Sequence, residues 1–265
     1  MFAKFRLTSS TLTYYLNWIT REYQLNTDNW TYDVEKKRQE FYQDLLNTVW
    51  CDKEKGILDG GKLKDYIFPS NDRYDVFISY SHDDESLAMR LAYYLQEYCG
   101  LDVFLDRFIW NSADALLKAI DDDYCQTADK KHYNYRSRNY STSHVHALLS
   151  MAILDVINKS ECCIVLDSNN SINLHCLEDP DNAKTLSPWI YEEISFMRHL
   201  PQQSTRKTKY FSQGGALESL NESKNLKIAN PADFSGFEEM TCEDLYHLNT
   251  DGEDNLDKLY ERHSI

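Results

Sequence analysis

The sequence predicts an α/β fold with a mostly parallel sheet, and three observations lead there. Apolar runs at Tyr74–Tyr80, Leu101–Leu105 and Cys162–Leu166 alternate with segments of helical periodicity at Leu87, Leu91, Leu95 and Tyr98 and at Leu148, Leu149, Ala152 and Ile153. The runs show almost no alternation of apolar and polar residues, as expected of strands covered by helices on both faces. Finally, 265 residues of which 42% are apolar are enough for a packed core.

Taken in order, residues 1–72 read as a helical N-terminal extension. Tyr15, Leu16, Ile19 and Tyr23 keep helical spacing, as do Phe41, Leu45, Leu46 and Trp50. The charged run Glu35–Glu40 between them suits a solvated helix face. Gly56, Gly60-Gly61 and Pro69-Ser-Asn-Asp72 punctuate the chain before the first strand, which sets a boundary near 72 and a second domain over 73–265. The strand at Tyr74 leads into an acidic turn in which Ser81, Asp83 and Asp84 are placed to cap a helix. Gly100 ends that helix before the second strand, giving a β-α-β unit. Residues 110–143 are polar and tyrosine-rich and read as an insertion, with a short helix at Ala115–Ile120. A helix over 145–158 then delivers the third strand, in which neighbouring Cys162 and Cys163 point to opposite faces. Further on, Leu226-Lys-Ile-Ala229 has the character of a late strand and Leu256–Tyr260 that of a final helix.

The formal charge of −15 argues against nucleic acid as a partner and against an anionic membrane surface. No apolar run approaches the roughly 20 residues that span a bilayer. Met1-Phe-Ala-Lys-Phe-Arg6 starts like the charged end of a signal peptide, but the polar Thr8–Thr11 that follows does not continue one. Seven cysteines without a C-x-x-C pair suggest neither a disulfide framework nor a zinc site, so a cytoplasmic location is expected. His144 and His146 are two apart on a predicted helix and point in different directions, so no metal site is expected.

Ligands of open parallel sheets bind beyond the carboxyl ends of the strands. That rule selects Ser79–His82, Asp106–Trp110 and Asp167–Ser171. Ser187-Pro188 is a favourable N-cap and N1 pair that opens a helix, on which Trp189 and Glu193 share a face.

Tyr74-Asp-Val-Phe-Ile-Ser-Tyr-Ser81 together with Trp189-x-x-x-Glu193 resembles the Toll/interleukin receptor (TIR) family, whose fold is flavodoxin-like. Val103-Phe-Leu-Asp106 is similar to the family's second strand and Ile164-Val-Leu166 to its third, and the resemblance covers about residues 74–200. Free-standing bacterial TIR proteins of the enzymatic kind cleave NAD in antiphage immunity, and their essential glutamate maps by position to Glu193. The resemblance therefore implies an NAD glycohydrolase or ADP-ribosyl cyclase or transferase, with NAD as substrate and no other cofactor. Cleavage of the nicotinamide–ribose bond builds positive charge on the sugar, which a fixed carboxylate stabilises. Phe77, Ser79, Tyr80, Asp106, Arg107, Ser168 and Trp189 are the expected substrate contacts, Phe77 and Tyr80 by stacking, Arg107 on the diphosphate, and Trp189 as a packing residue that shapes the pocket. The long 110–143 segment departs from the family's short loop at that place. Expected partners are NAD, further copies through TIR–TIR contacts, and an effector that senses a nucleotide product. The competing reading is a non-enzymatic adaptor that works through TIR–TIR contacts, with 110–143 as a binding surface.

Overall fold

A computed structural model describes residues 3–23, 50–52, 57–62, 73–105, 117–118, 120–127, 129–172, 174–176, 179–201, 229–248 and 255–265. In chain order the elements are β1 (Ala3–Thr8), α1 (Ser9–Tyr23), β2 (Trp50–Asp52), β3 (Ile57–Leu58), β4 (Tyr74–Ser79), α2 (Glu85–Glu97) and β5 (Val103–Leu105). Then come α3 (Tyr135–Lys159), β6 (Ser160–Asp167), β7 (Leu174–Cys176), β8 (Asp179–Thr185), α4 (Pro188–His199), β9 (Asn230–Pro231), β10 (Glu238–Glu239), α5 (Cys242–His247) and α6 (Asn255–His263).

The main sheet runs β10-β1-β6-β4-β5, and every pairing in it is parallel. β6 lies in the middle and is buried along its whole length, because helices cover both of its faces. On one face α1, α2, α5 and α6 pack Leu12, Leu16, Leu91, Leu95, Leu245 and Leu259 against Phe5, Val76, Ile78, Cys162 and Ile164. On the other face α3 and α4 pack Leu149, Ile153, Ile190 and Ile194 against Phe77, Cys163 and Val165. The two adjacent cysteines do fall on opposite faces.

The N-terminal segment differs from expectation. It is not a helical extension, because its first described residues form β1, hydrogen-bonded between β6 and β10 inside the main sheet. Ala3, Phe5 and Leu7 are fully buried under α1 and its neighbours, while Lys4 and Arg6 point to the α4 face. The first predicted helix is α1; the second, at Phe41–Trp50, lies outside the described residues except for Trp50, which opens β2.

The 110–143 segment is also more regular than expected. Residues 110–116 lie outside the described residues, and Leu117, Lys118 and Ile120 are helical. Asp121–Cys125 forms a π turn, Gln126 and Tyr133 pair in a bridge, and Asn134 caps α3 by accepting from the Ser137 N–H. α3 therefore starts ten residues before the expected 145. The predicted strand at 226–229 lies mostly outside the described residues, and the last predicted helix is α6.

Candidate functional site

Parallel register sorts the side chains of the α4 face into rows that cross the sheet. Lys4, Cys163 and Phe77 are partners in one row, Arg6, Val165 and Ser79 in the next, and Thr8 and Asp167 in the last, nearest the carboxyl edge. Successive rows are about 6.6 Å apart along the strands. β4 is followed by a helix on one face and β6 by a segment leading to α4 on the other. The boundary between these two strands is thus a topological switch point, where α/β sheets open a crevice.

α4 carries the proposed carboxylate. Ser187 caps it by accepting from the Ile190 N–H at 3.3 Å, with Pro188 at its start as the sequence predicts. The helix turns Ile190, Glu193, Ile194 and Met197 inward, and Glu193 is 0% exposed. Its charge acts on the Cys163 thiol, which burial above all pushes up to about 12. Glu192 points elsewhere, to Ser150 of α3; burial raises its carboxyl above the usual range and the Ser150 hydrogen bond partly offsets this. Trp189 packs its ring 4.9 Å from the His146 ring of α3.

The other expected contacts divide. Phe77 is fully buried in core and stacks on Phe104 at 5.8 Å and 12°. Tyr80 is buried in the opposite core, so the two rings do not share one ligand face. The Ser79 hydroxyl is 0% exposed and has no hydrogen-bond partner among the described residues. Ser168, by contrast, has its hydroxyl fully used: it donates to Asp84 and accepts from the N–H groups of Asn170 and Ser171 at 3.0 and 3.1 Å. Asp106 and Arg107 lie outside the described residues.

Sequence reasoning misassigned Asp84 and missed the charges of β1. Neither Ser81 nor Asp84 makes the expected side-chain cap. Asp84 instead reaches across the switch point and accepts from Ser168 Oγ and, at 2.8 Å, from Asn170 Nδ2, which ties the two loops together. Lys4 is buried with its Nζ donating to the Met197 carbonyl at 3.3 Å. Burial, then the Arg198 charge, push its ammonium below the ordinary lysine range. Beside Lys4, Gly236 takes φ +75, a left-handed backbone that favours glycine. Arg6 is held by Asp167, with Nε donating to Oδ2 at 2.7 Å, and lies 4.7 Å from the Phe234 ring centre. The alternation Ala3-Lys4-Phe5-Arg6-Leu7-Thr8 is the signal that locates these charges on one face of a strand.

Among the described residues no group of three or more His, Cys, Asp and Glu is placed to hold a metal ion, and no helix is long and apolar enough to cross a membrane. Comparison of the chain with protein-family models, with curated proteins and with solved structures finds no match.

Proposed function

We propose that the chain is a TIR-type enzyme that cleaves NAD at the nicotinamide–ribose bond, with Glu193 as its catalytic carboxylate. The observation that carries this reading is the burial of Glu193 at 0% exposure, one turn beyond Trp189, on a helix whose Ile190 and Ile194 pack in one core with Phe77 and Cys163. Withdrawing a carboxylate from water costs several kcal/mol, so a site that keeps one has a use for its charge. In a water-poor interface a fixed negative charge stabilises an oxocarbenium-like ribose far better than in solvent. Nicotinamide carries a positive charge in NAD and leaves as a neutral molecule, so one carboxylate suffices without a strong general acid. In this reading the bond from ribose C1 to the ring nitrogen breaks with its electron pair going to nicotinamide. C1 then bonds to water, to the adenine of the same molecule or to another nucleophile. A full substrate pocket at Glu193 requires α4 to part from the sheet, and assembly of several copies is a route to that opening.

The adaptor reading has its own observation: the hydroxyl of Ser168, an expected substrate contact, is fully used by Asp84 and by the N–H groups of Asn170 and Ser171. One experiment separates the two. NAD is incubated with concentrated protein and a crowding agent, and nicotinamide release is followed by chromatography for wild type, Glu193→Gln and Glu192→Gln. The expected result is release by wild type and by Glu192→Gln, and a loss of about 10²-fold or more for Glu193→Gln. Equal release by Glu193→Gln removes the site assignment, and no release by wild type under assembling conditions favours the adaptor.

A further inference from the structure

Helix α4 ends in a way that its own backbone cannot complete. The carbonyl of Met197 is one of the last four of the helix, and its helical donor would be the N–H of residue 201. That residue is Pro201, which has no N–H. The Leu200 N–H is already given to the Phe196 carbonyl at 2.9 Å, and the Arg198 side chain turns to Asp233 at 2.8 Å. Lys4 fills the gap from the other end of the chain, its Nζ donating to the Met197 carbonyl at 3.3 Å across 193 positions. Its positive charge also suits the negative end of the helix dipole. Lys4 itself has little freedom: it pairs with Cys163 in the register of β1 on β6, is 8% exposed, and sets its Nζ 5.2 Å from the Phe237 ring centre. Burying an ammonium is costly, and a methionine of similar length would fill the place at lower cost. Stability alone therefore does not select lysine at position 4.

We propose that Lys4 is the positioning residue of Glu193, clamping the last turn of α4 to β1 and so fixing where the helix holds its carboxylate. This role rests on the NAD-cleaving reading and adds to it a residue outside 74–200, the span of the family resemblance. Glu193 and Met197 are both buried on the inward side of α4, four residues and about 6 Å apart along its axis, and Trp189 lies about 12 Å from the clamp. A pocket at Glu193 requires α4 to part from the sheet, and with its last turn pinned the helix does so by swinging about that turn. Trp189 then travels about twice as far as Glu193, because displacement grows with distance from the pivot. The opening is thus made at the Trp189 end, where it admits substrate, and the carboxylate moves less.

Two measurements on the full chain test it, with Lys4→Met and, as a second apolar variant, Lys4→Leu. Hydrogen exchange reads the clamp: the amides of residues 194–200 are expected to exchange about tenfold faster or more in both variants, while those of α3 stay as in wild type. Nicotinamide release under assembling conditions reads the consequence. There kcat is expected to fall about tenfold or more with KM within about twofold, since a misplacement of about 1 Å in a catalytic group costs up to about 10²-fold. Thermal melts are expected to show no loss of stability, because the cost of burying the ammonium is gone. Arg198→Gln, which releases Asp233 and leaves Lys4 on Met197, is expected to keep kcat within about twofold of wild type. Unchanged exchange in α4 overturns the proposal, as does an unchanged kcat, a loss confined to KM, a fall in kcat that only follows a lower melting temperature, or an equal fall in Arg198→Gln. Wild type that releases no nicotinamide, together with faster exchange in Lys4→Met, supports the clamp and removes only the NAD-cleaving reading.

Discussion

Ser79 and Ser168 are both buried hydroxyls at the switch point, and their surroundings give them opposite energetic signs. The Ser79 Oγ meets no hydrogen-bond partner among the described residues, and an unmet buried hydroxyl costs about 1–3 kcal/mol. Ser79→Ala is therefore expected to raise stability by about 1 kcal/mol. If substrate satisfies that hydroxyl, the same variant raises KM for NAD with little change in kcat, because a ground-state contact is lost. Ser168 donates to Asp84 and holds the N–H groups of its own turn, so Ser168→Ala is expected to cost about 1–2 kcal/mol. Thermal melts of the two variants check the pair, and a destabilised Ser79→Ala shows that its hydroxyl has a partner after all.

Helix α5 and helix α6 are joined through one carboxylate. Asp244 closes a capping box with Thr241 and accepts from Arg262 Nε at 2.8 Å, and His263 Nε2 stands 3.2 Å away. Burial by itself would raise its carboxyl, but the bonds from Arg262, Thr241 and His263 outweigh burial and hold it below the usual carboxylate range. A carboxyl lowered by folding contributes stability above its unfolded pKa of about 3.9, and that contribution is lost as pH falls through the folded value. The expected outcome is an acid-induced loosening of α6 below about pH 4, read as increased amide exchange over 255–263. Asp244→Asn is expected to cost about 1.5–3 kcal/mol at neutral pH and to flatten the acid dependence of the melting temperature. This network was not legible in the sequence, because Thr241-x-x-Asp244 is a short polar motif whose partners come from a helix eighteen residues on. Elements that bury a continuous apolar run were legible: β4, β6 and α2 were read from pattern alone, and α4 from Ser187-Pro188 with its apolar stripe. α3 was read only over its buried half, since its first turns pack on the π turn through Ser141 and Arg138 and show no apolar stripe. Glu193 was legible as a candidate through its spacing from Trp189, whereas its complete burial depends on how α4 packs on the sheet, which no local pattern states.

At the scale of the whole molecule, the chain's first strand is fixed by residues that come about 160 positions later. β1 pairs with β6 over six residues, from Ala3 with Cys162 to Thr8 with Asp167, and carries β10 on its other side. Without β1, Cys162, Ile164 and Leu166 would lose Phe5 and Leu7 as neighbours, and α5 and α6 would lose the surface they pack on. β6, whose eight residues are all buried, would become an edge with open backbone groups, the form of strand most prone to aggregate. A chain that begins at Arg73 keeps every residue on which the family resemblance rests, yet it lacks β1 and α1. Each large buried side chain such as Phe5, Leu7, Leu12, Leu16 or Ile19 is worth about 1.5–3 kcal/mol, so their combined loss is comparable with the roughly 5–15 kcal/mol that hold an ordinary domain together. The shortened chain is therefore expected to be insoluble, or to lack a cooperative melt and a near-ultraviolet circular dichroism signal. A cooperative melt near that of the full chain would make residues 1–72 a separable appendage and leave the strand at Tyr74 as the true start of the fold.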